Sequence, residues 1–412
     1  MCTRKVSRVH QDIAEIIQKV AEIKKLTDIQ YNVIFGFEDV DSFASGFYNV
    51  LINGKINGFH VKHKVVIKWH NNAADRMCFR EAYKREYVLY NYIAPVFLKI
   101  QRTLMRNEGL KYKFPNCILS SKEFNKEVIV AHEIEDYKLF NRFHKMDFVH
   151  VSLIIKNLAK LHALSFVAAI KYPVEYEEIK QLLSKDVQYS DMKKIPKSLI
   201  CYFNASLSVI LDGKYKEKLR NIARRIAFIL NKYSAPVSEY NVICHADCWH
   251  NNIFFKYKGE RPVDTIFVDY QLARFASPVT DISYFFFMCT DYDFLSKYYD
   301  QLLEIYYGTC SAVLRECNID IREVYPRHVL QEQLNEHSIL GLVEALISMK
   351  IITAESEEAQ KMTETKHQLS NTVHVDDFEI QDQDIFVNRV NGIVKFFFER
   401  NYSLGGELYD KS

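Results

Sequence analysis

The chain has 412 residues, enough for two lobes or two domains with cores of their own. Hydrophobic residues make up 48% of it, which indicates a globular rather than a disordered chain. With 54 basic against 52 acidic residues and a net charge of +2, neither a nucleic acid nor an anionic membrane surface is expected as the main partner.

The N-terminal segment MCTRKVSRVHQDIAEI has no apolar stretch like that of a secretory signal. The longest apolar runs, such as ISYFFFMC, are far shorter than the roughly 18 residues that span a bilayer. The nine cysteines are odd in number and scattered, which is typical of a reducing compartment. We therefore expect a cytoplasmic protein with no membrane contact and no obligate protein partner.

The first 130 residues have mainly β character. Alternating, β-branched runs at Phe47–Ile52 and His60–Trp69 flank NGKING, which contains two Asn-Gly turn dipeptides and predicts a hairpin. A helix is predicted over Arg80–Ala94, closed by Pro95, and a further strand over Lys126–Ile134. This region therefore predicts a small, β-rich N-terminal lobe.

From about residue 148 the apolar residues follow a helical period, and a helix is also predicted over Tyr215–Tyr233. A β island at residues 243–270 interrupts the helices, which resume from Ser277 to about Ile352. Residues 355–384 have weak periodicity and indicate loop or short helix, and FVNRVNGIVKFFFERNY predicts a last helix. The pattern predicts an α+β fold with a large, mainly helical C-terminal lobe.

The segment ICHADCWHNN, residues 243–252, is the densest run of reactive side chains. Its two cysteines and two histidines are zinc-ligand types, but a structural zinc site needs a second ligand pair, and no C-x-x-C or H-x-x-x-H occurs elsewhere in the sequence. Buried cysteines acting as small hydrophobic residues are the simpler interpretation. We expect His245 to pack the loop, His250 to lie at the surface, and Asp281 to brace the loop or cap the next helix.

The same segment contains His-x-Asp-x-x-x-x-Asn, in which Asp247 and Asn252 have the spacing of a kinase catalytic loop. Two β-type runs follow around the turn KGERP. In a symmetric hairpin, Ile253 would face Val268, and Asn252 would face Asp269 about 4.5–5.5 Å away. An amide oxygen and a carboxylate side by side suit Mg²⁺, which prefers hard oxygen ligands. The spacing therefore predicts a metal site at Asn252 and Asp269.

A phosphate-binding lysine is expected on a strand of the first lobe. Lys68 lies within the apolar run VVIKW, where a charged group needs a partner or a ligand. Glu81 and Glu86 on the following helix are both candidate partners, and periodicity does not choose between them.

The segment HADCWHNNIFF, followed by PVDTIFVDYQLARFASPVTDISYFFF, resembles the ecdysteroid kinase-like family, which belongs to the wider group of choline-kinase- and aminoglycoside-phosphotransferase-like small-molecule kinases. Further similar segments are DSFASGFYNVLI, VVIKW, REYVLYNYIAP, LAKLHALS and SILGLVEAL. The likeness runs over essentially the whole chain. It implies a two-lobed, protein-kinase-like fold, with a nucleotide-binding lobe at residues 1–136 and a catalytic, substrate-binding lobe at 137–412.

The resemblance also implies ATP and Mg²⁺ as cofactors and a small hydroxylated molecule, such as an ecdysteroid, another steroid or a xenobiotic, as the acceptor. Carried over by position, Asp247 is the catalytic Asp, and Lys68, paired with Glu86, binds the phosphates. Asn252 and Asp269 bind the metal. Within the nucleotide loop, Phe43, Ala44 and Ser45 are expected to bind the nucleotide.

The sequence departs from the family pattern at two places. Ala246 replaces the usual glycine after the histidine, and the nucleotide loop DSFASG is poor in glycine, as the family itself tends to be. The acid expected in the connector AHEIEDYKLF is ambiguous. Two alternatives stay open: a choline- or aminoglycoside-type kinase, and an inactive pseudokinase that binds a nucleotide or a lipophile. All four residues whose loss would favour a pseudokinase are present, namely Lys68, Asp247, Asn252 and Asp269.

Overall fold

A computed structural model of the chain describes residues 2–35, 46–70, 73–184, 197–236, 238–359, 362 and 383–406. Its strands are β1 (Thr27–Phe35), β2 (Phe47–Ile56), β3 (Phe59–Lys68), β4 (Cys117–Ser121), β5 (Val128–His132), β6 (Tyr137–Leu139), β7 (Val242–Cys244), β8 (Ile253–Lys258), β9 (Arg261–Phe267) and β10 (Arg274–Ala276). Its main helices are α1 (Cys2–Lys24), α2 (Ala73–Val88), α3 (Ala94–Leu104), α4 (Phe148–Lys171), α5 (Pro173–Ser184), α6 (Lys197–Ser208), α7 (Gly213–Ala223), α8 (Ile226–Ser234), α9 (Pro278–Cys289), α10 (Tyr292–Glu316), α11 (Ile321–Val324), α12 (Arg327–Thr353) and α13 (Gln383–Glu399).

The N-terminal lobe is built on an antiparallel sheet of five strands in the order β1-β2-β3-β5-β4. The predicted hairpin is present, but only the second Asn-Gly dipeptide forms its turn: Ile56 pairs with Phe59, and both Asn57 and Gly58 have positive φ. Two such residues are what a two-residue hairpin turn requires. The first dipeptide stays within β2, where Gly54 continues the alternation of buried residues.

Helix α1 covers this sheet, although it is not among the elements predicted from the sequence. Its buried residues Ile13, Ile16, Ile17 and Val20 follow helical spacing and pack in one core with the apolar residues of β2 and β3. The apolar stripe of α1 was therefore visible in the sequence, and the surface that it packs against is the inner face of the sheet.

The helix predicted to end at Pro95 continues past it. A π-helical turn at Leu89–Ile93 joins α2 to α3, and Pro95 lies in the first turn of α3. Proline has no N–H to donate to the preceding turn, and the π-helical turn directly before Pro95 is the local irregularity through which the helix continues past it.

The C-terminal lobe is mainly helical, and the predicted β island is present as β7 to β10. Strand β6 pairs with β8 of this lobe. The predicted boundary between residues 136 and 137 therefore falls between β5, which belongs to the five-stranded sheet, and β6, which belongs to the β island. Helix α4 is long and apolar enough to cross a membrane by composition, but most of it is buried inside the lobe. The two lobes confirm the predicted α+β fold.

Helices α9 and α12 approach each other closely at Gly341. A Cβ atom at this position would lie 2.5 Å from Ser283 Oγ and 2.7 Å from Tyr284 N, well inside van der Waals contact. The absence of a side chain therefore lets α12 press against the backbone of α9, which carries Asp281.

Asp281 is fully buried and holds the segment between β7 and β8 in place. Its Oδ2 accepts a hydrogen bond from His245 N at 2.7 Å, and its Oδ1 accepts one from Ala246 N at 2.7 Å. The ring of His162 on α4 lies 3.0 Å from Oδ2 and is itself 2.9 Å from the hydroxyl of Tyr306. The expected bracing role of Asp281 is confirmed by these contacts.

Burial by itself would raise the pKa of Asp281, but the hydrogen bond and charge of His162, with further help from the loop, lower it below its ordinary value. The carboxylate is therefore ionised at neutral pH. Its contribution to stability is fully present above the unfolded-state pKa of about 3.9 and is lost as the pH falls through the lower folded-state pKa.

We expect Gly341→Ala to lower the melting temperature, because overpacking costs about 1–3 kcal/mol and here the clash is with backbone. Gly308→Ala is the matched control, since Gly308 is also helical and a Cβ atom there would have no neighbouring atom within 4 Å. The control should be neutral or slightly stabilising. Thermal unfolding followed by circular dichroism checks both, and equal melting temperatures for the two variants would contradict the close approach.

We expect Asp281→Asn to destabilise the protein by at least about 1–3 kcal/mol, because the amide NH2 replaces one of the two accepting oxygens and leaves one buried loop N–H without its acceptor. The difference in melting temperature from the wild type should be constant between about pH 5 and 8 and shrink below about pH 4. Asp300→Asn, at an aspartate whose side chain is 75% exposed, is the control and should change little. A difference that grows on acidification would contradict the proposed ionisation.

Candidate active site

The segment between β7 and β8, His245–Asn252, presents Asp247 at its centre. Ala246 has φ +65°, in the left-handed region that favours glycine, so the alanine keeps a backbone shape that costs it about 1–2 kcal/mol. The two hydrogen bonds to Asp281 hold this shape. The alanine at the family glycine position is therefore held in the backbone conformation that glycine favours.

The Asp247 carboxylate is held at both oxygens. Oδ1 accepts a hydrogen bond from the hydroxyl of Tyr284 on α9 at 2.8 Å. Oδ2 accepts one from Asn252 Nδ2 at 3.1 Å, and the same nitrogen donates to the Asp247 carbonyl at 2.9 Å. Asp247 and Asn252 are thus brought together by direct contact.

A second cluster surrounds Lys68 at the end of β3. Its Nζ donates to Glu86 Oε2 and to Asp269 Oδ1, each at 2.7 Å, and lies 3.4 Å from Gln271 Oε1. Of the two acids left open by periodicity, the structure pairs Glu86 with Lys68. Since Asp269 follows β9 of the other lobe, this cluster links the two lobes.

Burial would lower the pKa of Lys68, but the charges of Asp269 and Glu86 outweigh it and raise the pKa above its ordinary value. Lys68 is therefore a charged ammonium shared by two carboxylates in a water-poor site. Removing it would leave two acids facing each other.

The hairpin that carries Asn252 and Asp269 differs from the symmetric register predicted for it. Ile253 pairs with Phe267, not Val268, because the chain turns tightly between the paired residues Lys258 and Arg261, and the irregularity next to Tyr257 moves the register only part of the way toward the predicted one. Asn252 consequently faces Val268, whose N–H donates to its carbonyl at 3.0 Å. Asp269 is one residue further along and has φ +62°, so the strand alternation ends there. The predicted direct opposition of Asn252 and Asp269 was therefore wrong, although the two are still brought to the same end of the hairpin.

The predicted nucleotide-loop residues Phe43, Ala44 and Ser45 lie outside the described residues. The residue that follows them, Gly46, has φ +104° and accepts a hydrogen bond from Trp69 N at 2.7 Å. A Cβ atom on Gly46 would lie 2.8 Å from Trp69 O, so this position requires glycine. The end of the loop is thereby fixed beside the strand end that carries Lys68.

The cysteines and histidines of the segment do not form the zinc site considered from the sequence. Cys244 and Cys248 are both buried, and burial raises the pKa of each thiol, which disfavours the thiolate that zinc requires. Among the described residues, Cys244 instead groups with His162 and Asp281. Asp281 already accepts hydrogen bonds from the loop, so this group of three residues surrounds the carboxylate that braces the loop.

His245 packs as expected: it is buried, and its Nε2 lies 3.0 Å from the Val268 carbonyl. His250, expected at the surface, is buried, and burial together with Arg389 and Arg142 lowers its pKa to about 3. The prediction for His250 was wrong because its ring packs beside Phe140 from the connector, a contact that only the tertiary fold creates.

Three residues of the site were not identified from the sequence, namely Tyr284, Gln271 and Arg85. Tyr284 follows Asp281 by three residues on α9, and this helical spacing was a usable signal that both face the loop. Arg85, adjacent to Glu86, donates from Nη1 to the Ala273 carbonyl at 2.7 Å across the two lobes, and no local pattern reveals that contact.

Comparison with solved structures gives distant matches. An ethanolamine kinase from Plasmodium vivax matches with 15% identity and a TM-score of 0.40, covering 90% of this chain and 84% of that one. A mutant aminoglycoside 2'-phosphotransferase-IIIa in complex with GDP matches with 9% identity and a TM-score of 0.38, covering 95% and 99%. The wild-type GDP complex of that enzyme matches with 12% identity and a TM-score of 0.37, covering 86% and 98%.

No curated protein matches the chain significantly. The model of the ecdysteroid kinase-like family matches residues 39–319, which is more than half of the chain. This range includes every residue of the Lys68 cluster and the whole segment around Asp247. The chain therefore belongs to the ecdysteroid kinase-like family.

Proposed function

We propose that the protein is a small-molecule kinase that transfers the γ-phosphate of ATP to a hydroxyl group of a small lipophilic acceptor. One observation carries the proposal: Lys68 from the N-terminal lobe contacts Asp269 of the C-terminal lobe. Asp269 lies at the end of a hairpin whose other strand follows Asn252, and Asn252 donates a hydrogen bond to Asp247. A cation, two metal-ligand types and a candidate base thus converge between the lobes. Membership of the family supports the same class of reaction.

Lys68 supplies the cation for the nucleotide phosphates in this proposal. Its ammonium is held charged and aimed by Glu86 and Asp269, so it is in position before a nucleotide arrives. Phosphate oxygens offer Lys68 an additional anionic partner, and Glu86 keeps the lysine in place when Asp269 turns to another ligand.

The donor set at the hairpin end fits Mg²⁺. Asn252 gives its Nδ2 to Asp247, so its Oδ1 is the atom left for a metal, and Asp269 offers a partly accessible carboxylate whose side chain is 15% exposed. Both are hard oxygen ligands of the kind that Mg²⁺ prefers alongside phosphates. Bound Mg²⁺ would supply charge neutralisation on the phosphates.

Asp247 is the proposed base. Its carboxylate would accept the proton of the acceptor hydroxyl while the hydroxyl oxygen forms a bond to the γ-phosphorus and the bond from that phosphorus to the bridging β–γ oxygen breaks. ADP then leaves with the bridging oxygen. The fixed carboxylate lowers the cost of orienting the acceptor.

The acceptor proposed is an ecdysteroid or another hydroxylated steroid or xenobiotic, which the family supports. Choline-type or aminoglycoside-type acceptors are cationic and would need an acidic or aromatic cage. We further propose a cytoplasmic location with no membrane, nucleic acid or obligate protein partner. The free thiols of the described cysteines fit a reducing compartment.

We expect wild-type protein incubated with Mg-ATP and a panel of steroid and phenolic alcohols, with choline and an aminoglycoside included, to yield a phosphate adduct of a neutral alcohol by mass spectrometry. Asp247→Asn should lower the rate about 10²–10⁴-fold or more, because the base is lost, and should keep the wild-type circular dichroism spectrum. Asp300→Asn is the control. Adducts on choline or the aminoglycoside alone would reject the lipophilic acceptor, and no adduct at all would favour the pseudokinase.

We expect Mg-ATP to raise the melting temperature of the wild type. At a Mg-ATP concentration 100 times the Kd, binding adds about 2.7 kcal/mol to the free energy of unfolding. Asp269→Ala should abolish the part of this shift that depends on Mg²⁺, because one of two protein ligands is removed. Asp300→Ala should keep it. Differential scanning fluorimetry with ATP, with and without Mg²⁺, makes the comparison. An unchanged Mg²⁺-dependent shift in Asp269→Ala would reject the metal assignment.

A further inference from the structure

Helix α9 presents the hydroxyl of Tyr284 to the carboxylate of Asp247 at 2.8 Å. We propose that Tyr284 is a positioning residue for phosphate transfer, which fixes the Asp247 carboxylate in the orientation that accepts the proton of the acceptor hydroxyl. The inference rests on the proposed function. It assigns a role to a residue that the family resemblance left without one.

The two bonds on Asp247 act on different oxygens and come from different elements. Tyr284 on α9 binds Oδ1, while Asn252, at the start of β8, binds Oδ2. The terminal torsion of an aspartate is otherwise broad and roughly two-fold, so a single contact would leave the carboxylate free to turn. With a donor on each oxygen, its plane is set.

The carboxylate keeps the capacity to act as a base in this arrangement. Each ionised oxygen has two acceptor sites, and the contacts with Tyr284 and Asn252 use one on each. A donor on each oxygen therefore does not by itself remove the ability of the carboxylate to accept a proton. The predicted consequence is a carboxylate that is oriented before the substrates arrive.

Tyr284 is itself firmly held. It lies one helical turn beyond Asp281, which binds the backbone of His245 and Ala246, so one face of α9 sets both the path of the loop and the direction of its carboxylate. Gly341 allows α12 to press against the backbone at Tyr284 N.

The hydroxyl of Tyr284 stays a donor. Burial, followed by the charges of Asp247 and Glu344, raises the pKa of Tyr284 well above its ordinary value. Tyr284 is therefore protonated at neutral pH, and its hydroxyl donates to the carboxylate of Asp247.

The experiment compares Tyr284→Phe with wild type in steady-state kinetics, using Mg-ATP and the acceptor found with the panel. Loss of a hydrogen bond to a charged group should lower kcat about 10-fold or more. The KM values for ATP and acceptor should stay within about 2-fold, because Asp247 acts mainly in the transition state. A merely structural role would not separate kcat from KM in this way.

Tyr307→Phe is the matched control. Tyr307 is also a buried tyrosine of the C-terminal lobe, and its hydroxyl donates to the Tyr325 carbonyl at 3.2 Å, away from the Asp247 segment. The variant loses one hydroxyl and one hydrogen bond, as Tyr284→Phe does, and should keep the wild-type kcat. A kcat in Tyr284→Phe equal to that of this control overturns the proposal.

A stability cycle tests the contact without any activity. Melting temperatures are measured for wild type, Tyr284→Phe, Asp247→Ala and the double variant. Tyr284→Phe should lower the melting temperature in the wild-type background and clearly less in the Asp247→Ala background, because residues in direct contact are not additive. Additive effects overturn the proposal. If the wild type transfers phosphate to no acceptor, the proposed function fails, and this cycle alone then decides whether Tyr284 fixes Asp247.

Discussion

One buried carboxylate, that of Asp281, is the constraint on which the site depends. It accepts bonds from two consecutive backbone N–H groups, at His245 and Ala246, and its Oδ2 also lies 3.0 Å from the ring of His162. A charged acceptor in a dry site makes such bonds stronger than neutral ones, and their loss correspondingly costly. This strength holds Ala246 in a left-handed conformation and so turns Asp247 toward Tyr284 and Asn252.

The second constraint is the single ammonium of Lys68 shared by two acids from different lobes. Glu86 comes from α2 and Asp269 from the end of the C-terminal hairpin, and Arg85 adds a bond from α2 to the Ala273 carbonyl. The relative position of the lobes and the electrostatics of the site are therefore coupled, because the same contacts determine both.

The sequence predicted the elements of this site better than it predicted their geometry. Alternation found β2 and β3, and helical periodicity found the long helices, because both patterns reflect which face of an element is buried. The hairpin after Asn252 was found as well, but its register was off by one residue, because the pattern does not show that the chain turns tightly between Lys258 and Arg261. Helix α1 carries a clear apolar stripe and was nevertheless not predicted; the stripe gains its partner only where the five-stranded sheet lies against it.

What the sequence by itself determined is the identity and spacing of the reactive groups: Lys68 at the end of an apolar strand, Asp247 and Asn252 five residues apart, and Asp269 after a buried strand. These follow from local patterns of charge within apolar runs. Only the tertiary structure decided which groups meet. It selected Glu86 over Glu81, buried His250, and brought Tyr284 to Asp247, because each of these contacts joins segments far apart in the chain, whose packing no local period encodes.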